Sequence, residues 1–160
     1  MKKICVIGGF GNMGLGVTRE LLNQGYDVTV VTLPMEGDNP MPEARWIQAD
    51  RKDQEGFKAA LKDGHYEYAI DFACFTEQDA ALDCELFSEA SHVLAVSTGA
   101  SYGPLYGCEI PIREYMIQRP QWGYGVTKKA MEEFFFDKFR KEGFPITIFR
   151  PTVSYGRQKT

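Results

Sequence analysis

Apolar positions along the chain follow two alternating rhythms. Lys3–Gly8 holds Ile4, Cys5, Val6 and Ile7 in unbroken succession, which suits a strand buried on both faces. From Asn12 to Gln24 the apolar residues Met13, Val17, Leu21 and Leu22 recur at helical spacing, and Gly25 follows as a stop. Asp27–Leu33 (DVTVVTL) is β-branched and predicts a second strand. Met35–Ala44 carries Gly37, Pro40 and Pro42 and predicts a loop. A short strand is expected at Trp46–Ala49, a helix at Gln54–Lys62 stopped by Gly64, a strand at Tyr66–Phe72 and a helix at Glu77–Ala90. Val93–Ser97 is the next strand, and Tyr102–Pro120 a long connection. Gly123–Lys141 is a helix with Ala130, Phe134 and Phe135 on one side, ended by Gly143; Pro145–Phe149 is the last strand.

Strands separated by helices make a parallel sheet covered on both faces. Right-handed crossovers favour the doubly wound order 3-2-1-4-5-6 in one α/β domain over residues 1–160.

Charge and cysteine content narrow the possible partners. The 18 basic and 22 acidic residues leave a net charge of −4 and are well mixed. That argues against a nucleic-acid or anionic-membrane surface. No apolar run approaches the roughly 20 residues of a membrane span. The apolar stretch after Met1-Lys2-Lys3 breaks into glycines too soon for a secretory leader. Cys5, Cys74, Cys84 and Cys108 form no C-x-x-C pair, and His65 and His92 stand far apart, so no metal site is expected. Free thiols suit a reducing, cytoplasmic setting.

The candidate chemistry begins at Gly8-Gly9-Phe10-Gly11-Asn12-Met13-Gly14, between the first strand and the first helix. In that context G-x-x-G-x-x-G is a dinucleotide fingerprint. Gly8 permits the turn, Gly11 admits a pyrophosphate, Gly14 lets the helix close on the sheet, and Gly9 is slack. Phe10, Asn12 and Met13 complete the loop, whose helix N-terminus offers free N–H groups and partial positive charge. An acid that grips the ribose hydroxyls is expected about 20 residues on. Here Thr32-Leu33-Pro34 stands instead, with no arginine beside it, so both NAD and NADP remain open.

Tyr124 and Lys128, in YGVTK, lie at i and i+4 on one helix face. A phenol is a poor base at neutral pH. An ammonium about 4 Å away, at an effective dielectric near 20, favours the phenolate by about 4 kcal/mol. The pair suits acid–base work on an alcohol or ketone. Thr98, at the carboxyl end of the fifth strand, is placed to hold the substrate oxygen.

These pieces, in this order and with the closing FRPTVSYG, resemble the short-chain dehydrogenase/reductase superfamily. Within it they look like the extended or atypical NAD-dependent epimerases and dehydratases of nucleotide sugars. ADRKD (Ala49–Asp53) and DFACFT are most similar to the atypical subgroup that includes chloroplast RNA-binding, epimerase-like proteins. The resemblance implies a Rossmann-type sheet, with Tyr124 as acid–base, Lys128 on the nicotinamide ribose and Thr98 as third hydroxyl. It implies Asp50 and Arg51 near the adenine, and Phe72, Ala73 and Cys74 along the cofactor. Pro151 to Val153 would pass near the nicotinamide. A small-molecule substrate and a helix-paired homodimer are further implications. Thr32 replaces the acid common in NAD-binding members, and Gly99-Ala100 stands where sugar 4,6-dehydratases carry Asp-Glu. Extended members continue for roughly another domain's length, so the lobe that closes over the sugar is expected to be largely missing. The alternatives are a dinucleotide-binding protein without catalysis and, through the atypical subgroup alone, an RNA binder.

Overall fold

The computed structural model describes residues 1–104 and 110–154. Cys108 and the Tyr155-Gly156 end of the closing motif lie outside them. In chain order the elements are β1 (Lys3–Ile7), α1 (Gly14–Asn23), β2 (Asp27–Thr32), β3 (Arg45–Gln48), α2 (Gln54–Leu61) and β4 (Tyr68–Asp71). Then come α3 (Glu77–Leu86), β5 (His92–Val96), a 3₁₀ turn (Gly99–Tyr102), α4 (Gly123–Glu142) and β6 (Ile146–Phe149). The sheet is wholly parallel with order β3-β2-β1-β4-β5-β6, the order expected for a Rossmann-type fold.

Alternation along β1 explains the two layers. Ile4 and Val6 face a cluster with Val28 and Val30, covered by Leu21 and Leu22 of α1. Cys5 and Ile7 face the other side, with Phe57, Phe87, Met131 and Phe135 from α2 to α4. Such a strand needs apolar residues at every position. Cys5 and Cys74 are fully buried in this second layer, and burial pushes both thiols up, so they pack as inert apolar groups.

The register aligns the strand ends. Ile7 lies beside Val31 and Asp71, Thr32 beside Gln48, and Val96 beside Phe149. The turns after β1, β2, β3, β4 and β5 therefore emerge along one edge. Order reverses between β1 and β4, where open sheets form their ligand crevice.

Several boundaries differ from expectation. The third helix ends at Leu86 and is capped by Phe87, not at Ala90; Phe87 turns into the core instead. The fourth strand starts at Tyr68. The buried face of α4 is Gly125, Lys128, Met131, Glu132 and Phe135, while Ala130 and Phe134 are only half-buried. Apolar periodicity missed this face because two of its five residues are charged.

Candidate functional site

The glycine loop is built from backbone contacts. Gly8 adopts φ +74°, a region that favours glycine, and its carbonyl accepts from Gly11 N at 2.9 Å. A Cβ on Gly14 would lie 2.3 Å from that carbonyl oxygen and 2.8 Å from Gly9 Cα. Gly14 therefore lets the helix close on the loop itself rather than on the sheet. Gly9 is not slack: it is buried, and a Cβ there would meet Thr18 Oγ1 and Val30 Cγ1, each at 2.9 Å. Thr18 Oγ1 also donates to the Gly9 carbonyl at 3.0 Å.

The start of α1 is left without a side-chain cap at Met13. Among the described residues no backbone acceptor takes the N–H groups of Asn12, Met13 or Gly14. Helix starts normally satisfy such donors with side chains, water or ligands. Asn12 Nδ2 donates to Ser154 Oγ at 3.3 Å, so the loop faces the segment that carries Pro151 and Val153.

Beside it opens a cleft of about 730 Å³, formed by the glycine loop and the ends of β2, β3 and β4. Its wall includes Gly8, Phe10, Gly11, Thr32, Asp50, Arg51 and Ala73 from the expected set, and also Leu33, Met35, Lys52, Phe57 and Phe75. Phe72 and Cys74 are not part of this wall. Phe72 packs with the α1-side cluster and Cys74 with the opposite one; both lie beyond the end of β4 at Asp71. Thr32 Oγ1 accepts from Trp46 Nε1 at 2.8 Å. Asp50 Oδ1 accepts from Lys52 N at 2.9 Å.

Arg51 lines the cleft, but its guanidinium turns inward. Nη1 donates to the Ala73 carbonyl at 2.9 Å, and Nη2 to Asp71 Oδ2 at 2.7 Å and Asp83 Oδ1 at 2.8 Å. Asp79 lies 3.6 Å from Nε and closes a capping box with Thr76 at the start of α3. Cys74, Asp71 and Asp83 offer atoms within 4.8 Å of one another, and the guanidinium already supplies a cation there.

Three carboxylates thus surround one guanidinium. Burial, then the charge of Asp71, pushes the Asp83 carboxyl well above the usual range, against Arg51. Its Oδ2 is buried and unpartnered among the described residues. A carboxyl with a higher pKa folded than unfolded holds a proton that the unfolded chain releases. Its contribution to stability is therefore lost as pH rises from about 4 through the folded value. Asp83→Asn, which mimics the protonated form, is expected to gain on the wild type as pH rises. Urea unfolding at pH 5 and pH 8 checks this; a pH-independent difference contradicts it.

At the other end of the sheet edge, Tyr124 is 51% exposed while Lys128 is 1% exposed. Lys128 Nζ donates to the carbonyls of Cys74 at 2.6 Å and Val96 at 2.8 Å. It lies 4.6 Å from the Phe75 ring centre and 5.9 Å from that of Tyr124. Burial lowers its pKa. Thr98 Oγ1 accepts from Ala100 N at 3.2 Å as the cap of the 3₁₀ turn. A Cβ on Gly125 would lie 2.6 Å from the Ala100 carbonyl, so the first turn of α4 presses against the segment after Thr98.

One set of residues escaped the sequence reading. Glu132, fully buried, pairs with Arg150 through Nε at 2.9 and 3.0 Å and Nη2 at 2.5 Å. It also accepts from Ser97 Oγ and from Gln118 Nε2 at 2.8 Å. Gln118 reaches Ser101 Oγ at 2.8 Å, and Arg150 Nη1 reaches Tyr102 Oη at 2.8 Å. These bonds hold both flanks of Thr98. The signal was a charge four residues beyond Lys128, on the face shared with Phe135.

The family model of the NAD dependent epimerase/dehydratase family matches residues 4–160. The chain belongs to this family. It is 28% identical over 134 residues to a 2'-dehydrokanamycin reductase of Streptomyces kanamyceticus, covering 82% of this chain and 37% of that one. It is 26% identical over 168 residues to a UDP-glucose 4-epimerase of Lactobacillus helveticus, covering 92% and 50%. The chain thus spans half or less of the length of these two relatives. In fold it matches the UDP-glucose 4-epimerase of Thermotoga maritima with UDP-glucose, at TM-score 0.87 and 22% identity, over 99% of this chain and 58% of that one. The Brucella ovis epimerase in complex with NAD gives TM-score 0.81 at 21% identity, over 94% and 51%. Within the family fold, the glycine loop, cleft and Tyr124 lie along one edge of the sheet. No helix among the described residues is long and apolar enough to cross a membrane.

Proposed function

We propose that residues 1–160 form a dinucleotide-binding domain of an epimerase or oxidoreductase that acts on a hydroxyl of a small molecule, a nucleotide sugar in the first instance. The observation that carries this reading is the 730 Å³ cleft beside an uncapped helix start. The cleft suits the adenosine half of NAD or NADP. The free N–H groups of Asn12, Met13 and Gly14 suit its pyrophosphate. Asp50, on the cleft wall, would lie near the adenine, while Arg51 would hold the floor through its carboxylates. Pro151 and Val153 would flank the nicotinamide. The bound nicotinamide would accept or return a hydride. Tyr124 would take and return the alcohol proton, Thr98 would hold the same oxygen, and Lys128 would support Tyr124 and a ribose.

Tyr124→Phe is expected to lower turnover by about 10²–10⁴-fold, the usual worth of a positioned acid–base group, while cofactor affinity stays within about twofold. Turnover of UDP-glucose and titration of NADH on the same preparation check this. Unchanged turnover would contradict the role of Tyr124.

A second reading, dinucleotide binding without catalysis, is favoured by the enclosure of Lys128. Its ammonium is spent on two backbone carbonyls rather than presented to a ribose. Under this reading the wild-type chain binds NADH and turns over no sugar. The homodimer implied by the resemblance rests on the family alone, and the cytoplasmic setting on the free thiols.

A further inference from the structure

We infer that the ribose end of this cleft accepts a 2'-phosphate, so that the chain takes NADP(H) at least as well as NAD(H). The inference rests on the dinucleotide reading above and names the form of its ligand.

Sites that select the unphosphorylated ribose place a carboxylate at the end of the second strand. It accepts from the ribose hydroxyls and repels a phosphate dianion. Here that position is Thr32, on the cleft wall. Its oxygen already accepts from Trp46 Nε1 at 2.8 Å. This turns the hydroxyl proton away from Trp46 and makes it available to an acceptor. The turn beyond is apolar, Leu33-Pro34-Met35, and is locked by Met35 N donating to Gln48 Oε1 at 2.8 Å. Glu36, the nearest acid in sequence, is exposed and not part of the wall.

Of the two carboxylates that do line the cleft, Asp79 is the one tied to a cation. Asp79 accepts from the N–H groups of Phe75 and Thr76, each at 2.9 Å, and faces Arg51. Asp50 accepts from Lys52 N. Lys52 also lines the cleft, and no ion pair of its ammonium is found among the described residues. A 2'-phosphate would meet a neutral donor and an uncommitted cation where a selective site opposes it with a fixed anion. A hydroxyl donor and a flexible ammonium are a weaker grip than an arginine fork. The structure therefore predicts acceptance with modest preference.

The test is calorimetric titration of the wild-type chain, Thr32→Asp and Lys52→Glu with NADH, NADPH, 5'-ADP and 2',5'-ADP at two salt concentrations. The wild type is expected to bind NADPH at least as tightly as NADH, and to lose NADPH affinity faster as salt rises. Thr32→Asp is expected to weaken NADPH by about tenfold or more and to bind NADH as tightly or tighter, since the new carboxylate can accept from the ribose hydroxyls; Lys52→Glu is expected to weaken NADPH several-fold more than NADH. A wild-type preference for NADH of tenfold or more overturns the inference and leaves the dinucleotide site standing. So does a Thr32→Asp chain that binds NADPH as before. Failure of all four nucleotides to bind overturns the dinucleotide reading, and the inference with it.

Discussion

Glu132→Ala is expected to lose about 3–5 kcal/mol of folding stability, the usual cost of removing one partner from a buried ion pair. The residue is fully buried and accepts from Arg150, Ser97 and Gln118 at once. Truncation leaves the Arg150 guanidinium, with a side chain only 14% exposed, short of its counter-charge. It also unhooks Ser97, next to Thr98, and Gln118, which bonds Ser101. For a chain of this size the loss corresponds to a fall in Tm of roughly 10 °C or more. Glu132→Gln keeps the shape and some hydrogen bonds and should fall between. Thermal unfolding followed by circular dichroism checks the series. An Ala variant within about 1 kcal/mol of the wild type would mean that the network contributes little.

Gly14→Ala carries the second large effect, and on binding rather than stability. The added Cβ would sit 2.3 Å from the Gly8 carbonyl oxygen and under 3 Å from the Gly9 backbone. All three contacts are main-chain atoms, so no side chain can swing away. Either α1 retreats or the loop opens, and the N–H groups at the start of α1 are displaced with it. Overpacking of this kind costs about 1–3 kcal/mol in stability. The expected loss in NADH affinity is on the order of 100-fold, since a pyrophosphate depends on several aligned donors together. Gly16→Ala is the control, because a Cβ there meets nothing within 4 Å. Fluorescence titration of NADH against both variants decides. Equal affinities would remove the glycine loop from the binding site.

The sheet order was legible because most strands are apolar or β-branched runs and most crossovers carry a helical period, and handedness leaves few ways to join them. The glycine loop was legible for the same reason, being defined by its place between β1 and α1. Details set by distant partners were not. Arg51 was expected near the adenine; it lines the cleft, but its bonds to Asp71 and Asp83, 20 and 32 residues away, had no local sign. Glu132 was not singled out, because its partner Arg150 lies 18 residues away. Gly9 looked idle because the crowding comes from Thr18 and Val30, which no local pattern reports. Lys128 was placed on the correct face, but its sequestration by two carbonyls depends on where β4 and β5 end.

The central claim is that the Gly8–Gly14 loop and the adjoining cleft hold a dinucleotide. Backbone amide shifts of isotopically labelled chain during titration with NADPH and NADH test it most directly. The account predicts saturable shifts at the amides of Gly11, Asn12, Met13 and Gly14, together with those of Thr32, Asp50 and Arg51. Residues of the cleft between α3 and the end of α4, near Cys84 and Phe144, should stay fixed. Absence of any saturable shift in the glycine loop, or saturable shifts confined to another surface, would contradict it.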